Sequence, residues 1–425
     1  MKMHETEKEI EKAILCGIHT GFGGELNDTT EETVSELSLL AETAGAEVVG
    51  EMIQNKDHPE PDTYFGEGKI EELRLSAQTL KATLLIFDDE LSGSQIRNIE
   101  KHTGVRTIDR STLILDIFAG RAATKEGKLQ VELAQLKYSL PRLTGMGTEL
   151  SRQGGGIGTR GPGETKLESD RRHIRRRISA LTEELREVEE RRKILRARRE
   201  KEQAVCAALV GYTNAGKSSI LNYITGAGVL ARDMLFATLD PTVRKLPLPD
   251  GRNAVITDTV GFIRKLPHHL IEAFKSTLDE AVYADVLIHV IDASDKQMET
   301  KMKVVDELLA SLGCRAKRTI AVFNKCDKAG GEFFRPVGNY TDYVLVSAKT
   351  GEGMESLIQI LSDALPGKKR EICILIPYSD SRTAAILHET ETIISESYEE
   401  GGTKIRLMAD AALYAKIKKY ETEEK

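Results

Sequence analysis

The sequence predicts a multidomain α/β protein: an N-terminal α/β domain, an antiparallel helical hairpin stalk, a doubly wound phosphate-loop domain and a small C-terminal α+β domain. Three observations carry this. Short apolar runs alternate with amphipathic ones over residues 1–122, two narrow leucine-isoleucine seams flank a glycine-rich stretch, and a buried-strand pattern runs straight into "GYTNAGKS". At 425 residues the chain exceeds what one hydrophobic core organises. Its 60 basic and 67 acidic residues leave a net charge of −7, so any nucleic-acid contact has to come from local basic patches rather than the overall field. The five cysteines, Cys16, Cys206, Cys314, Cys326 and Cys373, form no C-x-x-C pair, which fits free thiols in a reducing compartment better than a disulfide framework or a zinc site. The N-terminus "MKMHETEKEI" has no apolar core, and no apolar run approaches the roughly 18 residues that span a bilayer, so a cytoplasmic protein without a membrane span is expected.

Residues 1–122 read as the first domain. "AILCGIH", "AEVVGEMI" and "ATLLIFDDE" have strand character and take turns with helix-period stretches such as "VSELSLLAETA" and "GSQIRNIEKHT", the mark of parallel βαβ units. Asp88 and Asp89 follow the strand "TLLIF" and are read as caps of the next helix, with ligand binding at the strand's carboxyl end as the alternative.

Residues 123–202 change character. Leu129, Leu133, Leu136 and Leu140 step by four, three and four and end just before Pro141; Ile174, Ile178, Leu181, Leu185, Val188 and Leu195 form a second seam. Two narrow-seamed helices joined by one connection pack most simply as an antiparallel hairpin, and residues 171–200 as one helix would measure roughly 45 Å. The connection, 141–165, holds "GGGIGTRGPGET", in which Gly156 to Gly161 spells G-x-G-x-x-G. That string serves a dinucleotide only between a buried strand and an apolar-faced helix, whereas here polar "RLTGMGTELSRQ" precedes it and charged "KLESDRRHIRRRI" follows. A long glycine- and arginine-rich loop at the tip of a stalk fits RNA instead, because glycine lets a backbone approach closely and guanidinium binds phosphate through two hydrogen bonds. Arg142, Arg152, Gly158, Arg160 and, on the second helix near the tip, Arg171 and Arg172 are the candidate contacts. The distal cluster "RRKILRARR" is read as an ion-paired solvated face.

Residues 203–367 carry the chemistry. The strand Ala204–Val210 enters Gly211-Tyr212-Thr213-Asn214-Ala215-Gly216-Lys217-Ser218, followed by Ser219, which is G-x-x-x-x-G-K-S in the strand-to-helix setting the motif needs. Backbone N–H groups there cradle phosphates, Lys217 reaches the β- and γ-oxygens, and Ser218 is a ligand for Mg²⁺. The base is chosen further on. Asn324-Lys325-Cys326-Asp327 follows the strand "TIAVF" and matches N-K-x-D, whose aspartate accepts from guanine N1–H and N2–H₂; adenine offers no such donor pair. Ser347-Ala348-Lys349 matches the S-A-K loop that reads guanine O6. Between them, Asp258-Thr259-Val260-Gly261 is a D-x-x-G at the end of a strand, with Asp258 holding the metal through water and the Gly261 N–H sensing the γ-phosphate. "LFATLDPT" offers Thr238 and Thr242 as the switch threonine on the metal; Thr238 is preferred because F-A-T-L-D-P resembles the F-T-T-L-x-P switch of the Obg-like GTPases, with Thr242 as the alternative and Phe236, Ala237, Leu239 and Asp240 expected against the nucleotide. Lys217, Thr238 and Gly261 form the candidate catalytic set for hydrolysis of GTP to GDP.

After D-x-x-G stands Phe262, where many GTPases carry a water-positioning glutamine, so slow hydrolysis by the free protein is expected, with a partner completing the site. A surface or switch-packing role is read for His268 and His269, and a core position for His289. A non-catalytic guanine-nucleotide switch that scaffolds RNA or protein assembly is the competing class, which Phe262 keeps open.

With these residues in hand the chain resembles the HflX family of the Obg/HflX group, through "TYFGEGKIEEL", "GTRGPGETKLE", "LFATLDPT" and "DTVGFIRKLPHHLIEAF". The resemblance implies a cytoplasmic, ribosome-associated GTPase that binds the large subunit and the 70S-type ribosome, contacts ribosomal RNA through its stalk tip, and splits or rescues stalled or idle ribosomes. A monomer is expected. Residues 368–425 read as β-α-β-β-α, a ferredoxin-like appendage with a hairpin turn at Gly401-Gly402.

Overall fold

The computed structural model describes residues 10–19, 30–143, 162–201, 205–226, 234–267, 270, 275–329, 340–367, 370–390, 393–409 and 411–422. The first sheet joins β1 (Lys12–His19), β2 (Glu47–Asn55), β3 (Leu84–Phe87) and β4 (Arg106–Asp109) in the order β2-β1-β3-β4, all neighbours parallel. An all-parallel sheet needs cover on both faces, and it has it. Helices α1 (Thr30–Ala44) and α4 (Arg110–Arg121) pack over Leu15 and Ile86, while α2 (Glu67–Leu80) and α3 (Gly93–Thr103) pack over Ile14, Leu85 and Phe87. Asp88 and Asp89 do not cap α3. Ser92 does, in a complete capping box with Gln95, because it alone sits three residues before a side chain able to reach back to its N–H.

The hairpin is α5 (Lys125–Arg142) against α6 (Pro162–Lys201). Glu132 meets Arg177 at 2.7 Å and Glu126 meets Arg192 at 3.0 Å, so the helices run antiparallel. Leu129, Leu133 and Leu181 are buried between them, with Leu136, Ile178 and Leu185 packed alongside. Two boundaries differ from expectation. Proline's missing N–H predicts an end before Pro141, yet α5 runs on to Arg142. Its last turn is tied down by the Arg142 guanidinium, which donates to the Leu91 and Tyr138 carbonyls at 3.1 Å each and lies 3.4 Å from the centre of the Tyr138 ring. Arg142 is thereby committed to the N-terminal domain rather than presented to a phosphate. At the other end α6 begins at Pro162, where a helix needs no N–H partner, and its 40 residues span about 60 Å. Arg171 is half-buried and Arg172 exposed on it; Arg152, Gly158 and Arg160 lie outside the described residues.

The second sheet has six strands in the order β10-β9-β8-β5-β7-β6: β5 (Val205–Gly211), β6 (Thr242–Pro247), β7 (Asn253–Asp258), β8 (Val286–Asp292), β9 (Arg318–Asn324) and β10 (Asp342–Leu345). Only the β6–β7 pair is antiparallel. Helices α7 (Lys217–Thr225), α8 (Lys275–Tyr283), α9 (Met298–Ser311) and α10 (Met354–Ala364) accompany it. One apolar cluster runs from Leu37 and Phe118 of the first domain through Val131 and Ala134 of α5 to Val210, Leu239 and Phe262, so the N-terminal half rests on the strand ends where an α/β sheet binds its ligand.

The C-terminal segment is β11 (Arg370–Ile376), α11 (Ser381–Thr390), β12 (Ile393–Glu399), β13 (Gly402–Ala409) and α12 (Ala411–Ile417), the expected β-α-β-β-α order. Its antiparallel sheet, β11-β13-β12, buries Ile374, Ile405 and Leu407. No helix among the described residues is long and apolar enough to cross a membrane.

Candidate active site

The phosphate loop connects β5 to α7. Gly216 stands at φ 97°, and a Cβ there would lie 2.1 Å from Asn324 Nδ2, so only glycine lets the loop pass beneath the base-reading segment. Lys217 is buried and donates to the carbonyls of Gly211 (3.1 Å) and Tyr212 (2.8 Å), which aims its amine across the loop. Burial pushes Lys217 down to about 8, with Asp258 opposing the shift, as expected of an ammonium built to be completed by an anion. Gly261 closes over the same amine: a Cβ on it would meet Thr213 Cα at 2.8 Å and Lys217 Nζ at 2.9 Å. Any side chain there would occupy the space above the lysine.

Three oxygens converge beside the lysine. Ser218 Oγ donates to Asp258 Oδ2 at 2.6 Å, Thr238 Oγ1 donates to the same oxygen at 3.1 Å, and the two hydroxyls lie 2.8 Å apart. Burial pushes the Asp258 carboxyl up against the opposing pull of Lys217 and the hydroxyls. Its other oxygen, Oδ1, is buried and has no hydrogen-bond partner among the described residues. Thr242, the other candidate threonine, is at the start of β6, paired across the sheet with Asp258. Thr259 spends its hydroxyl on the Leu209 carbonyl at 2.7 Å, and Val260 is in the core.

On the base side, Asn324 Nδ2 donates to the Ala215 carbonyl (2.8 Å), its Oδ1 accepts from the Ala348 N–H (3.1 Å), and Ser347 Oγ donates to Asp327 Oδ1 (2.7 Å). Lys325, at φ 65°, places its amine 3.0 Å from the Asn214 carbonyl and 2.7 Å from Asp292. Asn214, Gly216, Ser219, Asn324, Asp327 and Lys349 line the resulting cavity, of about 250 Å³. The hydrogen bond from Ser347 holds Asp327 below the usual carboxylate range, so it is an anion ready to accept two N–H donors. Cys326 turns away, its thiol 3.8 Å from Glu352.

Sequence reading missed what holds the switches. Phe262 is buried, and its backbone zips to the phosphate loop: Thr213 N–H to Phe262 O (2.8 Å) and Phe262 N–H to Gly211 O (3.1 Å). Tyr212 donates its hydroxyl to Glu36 of α1 and accepts from the Arg264 N–H at 2.8 Å. Arg110 donates to Glu36, to Asp88 (2.8 Å) and to the Arg264 carbonyl (3.2 Å), and Lys265 donates to Asp88 (2.5 Å) and Asp89 (2.7 Å). The segments flanking Thr238 are also anchored. Leu239 is in the core, and Asp240, expected against the nucleotide, spends both oxygens on Ala123 and Thr124, the residues that lead into α5. Four non-glycine residues of these loops, Asn214, Phe236, Lys265 and Lys325, have left-handed φ between 51° and 65°, strain that gathers at functional sites. His268 and His269 lie outside the described residues, and His289 is buried in β8.

Comparison with known proteins follows the same layout. A family profile described as "GTP-binding GTPase N-terminal" matches residues 31–119, one described as "GTP-binding GTPase Middle Region" matches 121–199, and one described as "50S ribosome-binding GTPase" matches 206–325. Curated relatives include GTPase HflX of Caldanaerobacter subterraneus subsp. tengcongensis, 49% identical over 98% of this chain and 95% of the relative. GTPase HflX of Escherichia coli K12 is 42% identical over 92% of each chain. Among solved structures, a GTP-binding protein of Sulfolobus solfataricus in complex with GDP is 26% identical, covers 84% of this chain and 98% of that one, and has a TM-score of 0.44.

Proposed function

The chain belongs to the HflX family of GTPases, and on that premise we propose that it binds the large ribosomal subunit and uses GTP to split or rescue stalled or idle ribosomes, hydrolysing slowly until the ribosome completes its site. The observation that carries the chemistry is the meeting of Ser218, Thr238 and Asp258 beside Lys217, on the same loop that Asn324 fastens to the base cavity. Mg²⁺ fits that corner: hard oxygens converge, and a buried carboxylate oxygen otherwise lacks a partner. Ser218 and Thr238 would hold the ion directly and Asp258 through water, and when bound it offsets phosphate charge. Lys217 binds the β- and γ-oxygens, Gly261 offers its N–H to the γ-phosphate, and Asp327 fixes guanine. Phe262 has no polar atom for the attacking water, which supports slow basal turnover.

Support for the ribosomal partner comes from the family, from the profile description over residues 206–325, and from the arginines of α6 and the tip. Thr238→Ala is expected to lower GTP turnover by about 10²-fold while GDP affinity changes less than threefold, checked by phosphate release and calorimetry. Adding large subunits to the wild type should raise turnover; a flat response would refute stimulation. Arg152→Glu with Arg160→Glu is expected to weaken subunit binding and to flatten its dependence on salt by about two phosphate contacts. Sedimentation of intact ribosomes with GTP or a non-hydrolysable analogue tests the splitting step directly.

A further inference from the structure

The switch threonine sits between two anchors that belong to another part of the chain. On one side Phe236 stacks edge-on against Phe118 of α4, ring centroids 4.7 Å apart. On the other, Asp240 Oδ2 accepts from the N–H groups of Ala123 and Thr124 at 2.9 Å each, and Oδ1 accepts from the Thr124 hydroxyl, which itself caps α5 by accepting from the Gly127 N–H at 2.9 Å. The fit leaves no slack: a Cβ on Gly127 would lie 2.5 Å from Asp240 Oδ1. Leu239, between threonine and aspartate, is buried in the cluster that contains Phe118 and Ala122. With both flanks fixed, Thr238 has its hydroxyl 2.8 Å from Ser218 Oγ and 3.1 Å from Asp258 Oδ2.

We infer that Asp240 is a positioning residue for GTP hydrolysis: by seating on the N-cap of α5, Thr124, and on Ala123 before it, it places Thr238 in the oxygen corner of the site, so that this corner is assembled on the residues that start the stalk helix. A flexible chain three residues long can hold a hydroxyl to within a fraction of an ångström only if its ends are pinned, and a misplacement of about 1 Å in such a group costs up to 10²-fold in rate. The coupling runs both ways by linkage: whatever displaces the start of α5 withdraws Thr238, and whatever draws Thr238 onto bound GTP steadies α5. The inference rests on Thr238 being the switch threonine.

The test uses the full chain and four variants: Thr238→Ala, Asp240→Ala, Gly127→Ala and the double variant at 127 and 240. Gly127→Ala leaves every polar group in place and adds a better helix former to α5, so the fold is kept while the new methyl evicts the carboxylate. The readouts are kcat and KM for GTP, GDP affinity, and the melting temperature. The expected result is a fall in kcat of at least tenfold for Asp240→Ala and for Gly127→Ala, GDP affinity within threefold, and a double variant no slower than the worse single one, because both changes break one contact. A mere helix cap would lower the melting temperature and leave kcat alone. If Thr238→Ala loses turnover while Gly127→Ala and Asp240→Ala keep it, the positioning role is overturned; if Asp240→Ala fails to fold, Gly127→Ala decides alone. If Thr238→Ala keeps its turnover, the assignment of the switch threonine has failed instead.

Discussion

Asp327→Asn is expected to weaken GTP binding by roughly two to three orders of magnitude and to leave xanthosine triphosphate as the tighter ligand. On the proposed function the wild-type carboxylate would accept from guanine N1–H and N2–H₂, and Ser347 already donates to its Oδ1 at 2.7 Å. An asparagine amide turns one acceptor into a donor. It then opposes the guanine amino group and suits the carbonyl that xanthine carries in its place, so one exchange removes an attraction and adds a repulsion. The loss stays local, because Asn324 and Lys325 fasten this segment to the phosphate loop through Ala215 and Asn214 without help from Asp327. Calorimetry with the two triphosphates gives the answer. Equal affinities for GTP in variant and wild type would mean that the base is read elsewhere, and with it the assignment of the whole cavity would go.

This site was legible because its geometry is local. A phosphate loop is eight consecutive residues between a buried strand and a helix, and Gly216 and Lys217 do their work within that span. The strand and helix alternation of the first domain was legible for the same reason, since a sheet covered on both faces leaves continuous apolar runs in the sequence. What could not be read is what joins the halves. Buried Glu36, Asp88 and Arg110 and exposed Lys265 meet from separations of 22 to 177 residues, and such charges carry no periodicity to announce them. Asp88 and Asp89 looked like caps because aspartate after a strand usually is one, and only the fold brings lysine and arginine to them. Asp240 looked like a nucleotide contact because it neighbours Thr238; the N–H groups it satisfies, those of Ala123 and Thr124, lie more than a hundred residues earlier in the chain. Arg142 looked like a phosphate contact because it falls within the glycine- and arginine-rich tip, 141–165, yet the carbonyls of Leu91 and Tyr138 and the face of the Tyr138 ring lie within its reach.

Arg110→Met is expected to be the most destabilising single change, costing about 3–5 kcal/mol in denaturant unfolding. The guanidinium is 2% exposed and stands between Glu36 and Asp88, which are themselves buried. Methionine fills much of the volume, so the cost arises less from a cavity than from two carboxylates left without their cation. Among the described residues only Asp88 retains another, Lys265 at 2.5 Å. That distinction predicts how a second change should act. Adding Glu36→Gln to Arg110→Met removes one of the stranded charges and should recover part of the loss, whereas two independent defects would add. Acid behaviour should change as well. Burial alone would raise Asp88, yet Arg110 and Lys265 hold it below the usual carboxylate range. A carboxyl depressed in the folded state contributes stability that is present above its unfolded value, about 3.9, and is lost as pH falls through the folded one. Without Arg110 burial regains ground and the folded value rises, so the acid limb of the variant's stability profile should move to higher pH and lose amplitude. Because the Arg264 carbonyl is a ligand of the same guanidinium at 3.2 Å, the variant should also release the segment after Gly261. Unfolding curves from pH 3 to pH 7, run beside GTP turnover, would then show stability and switch order lost together; a variant with wild-type stability in acid would show that the two carboxylates find other partners and that this cation does not hold the halves in place.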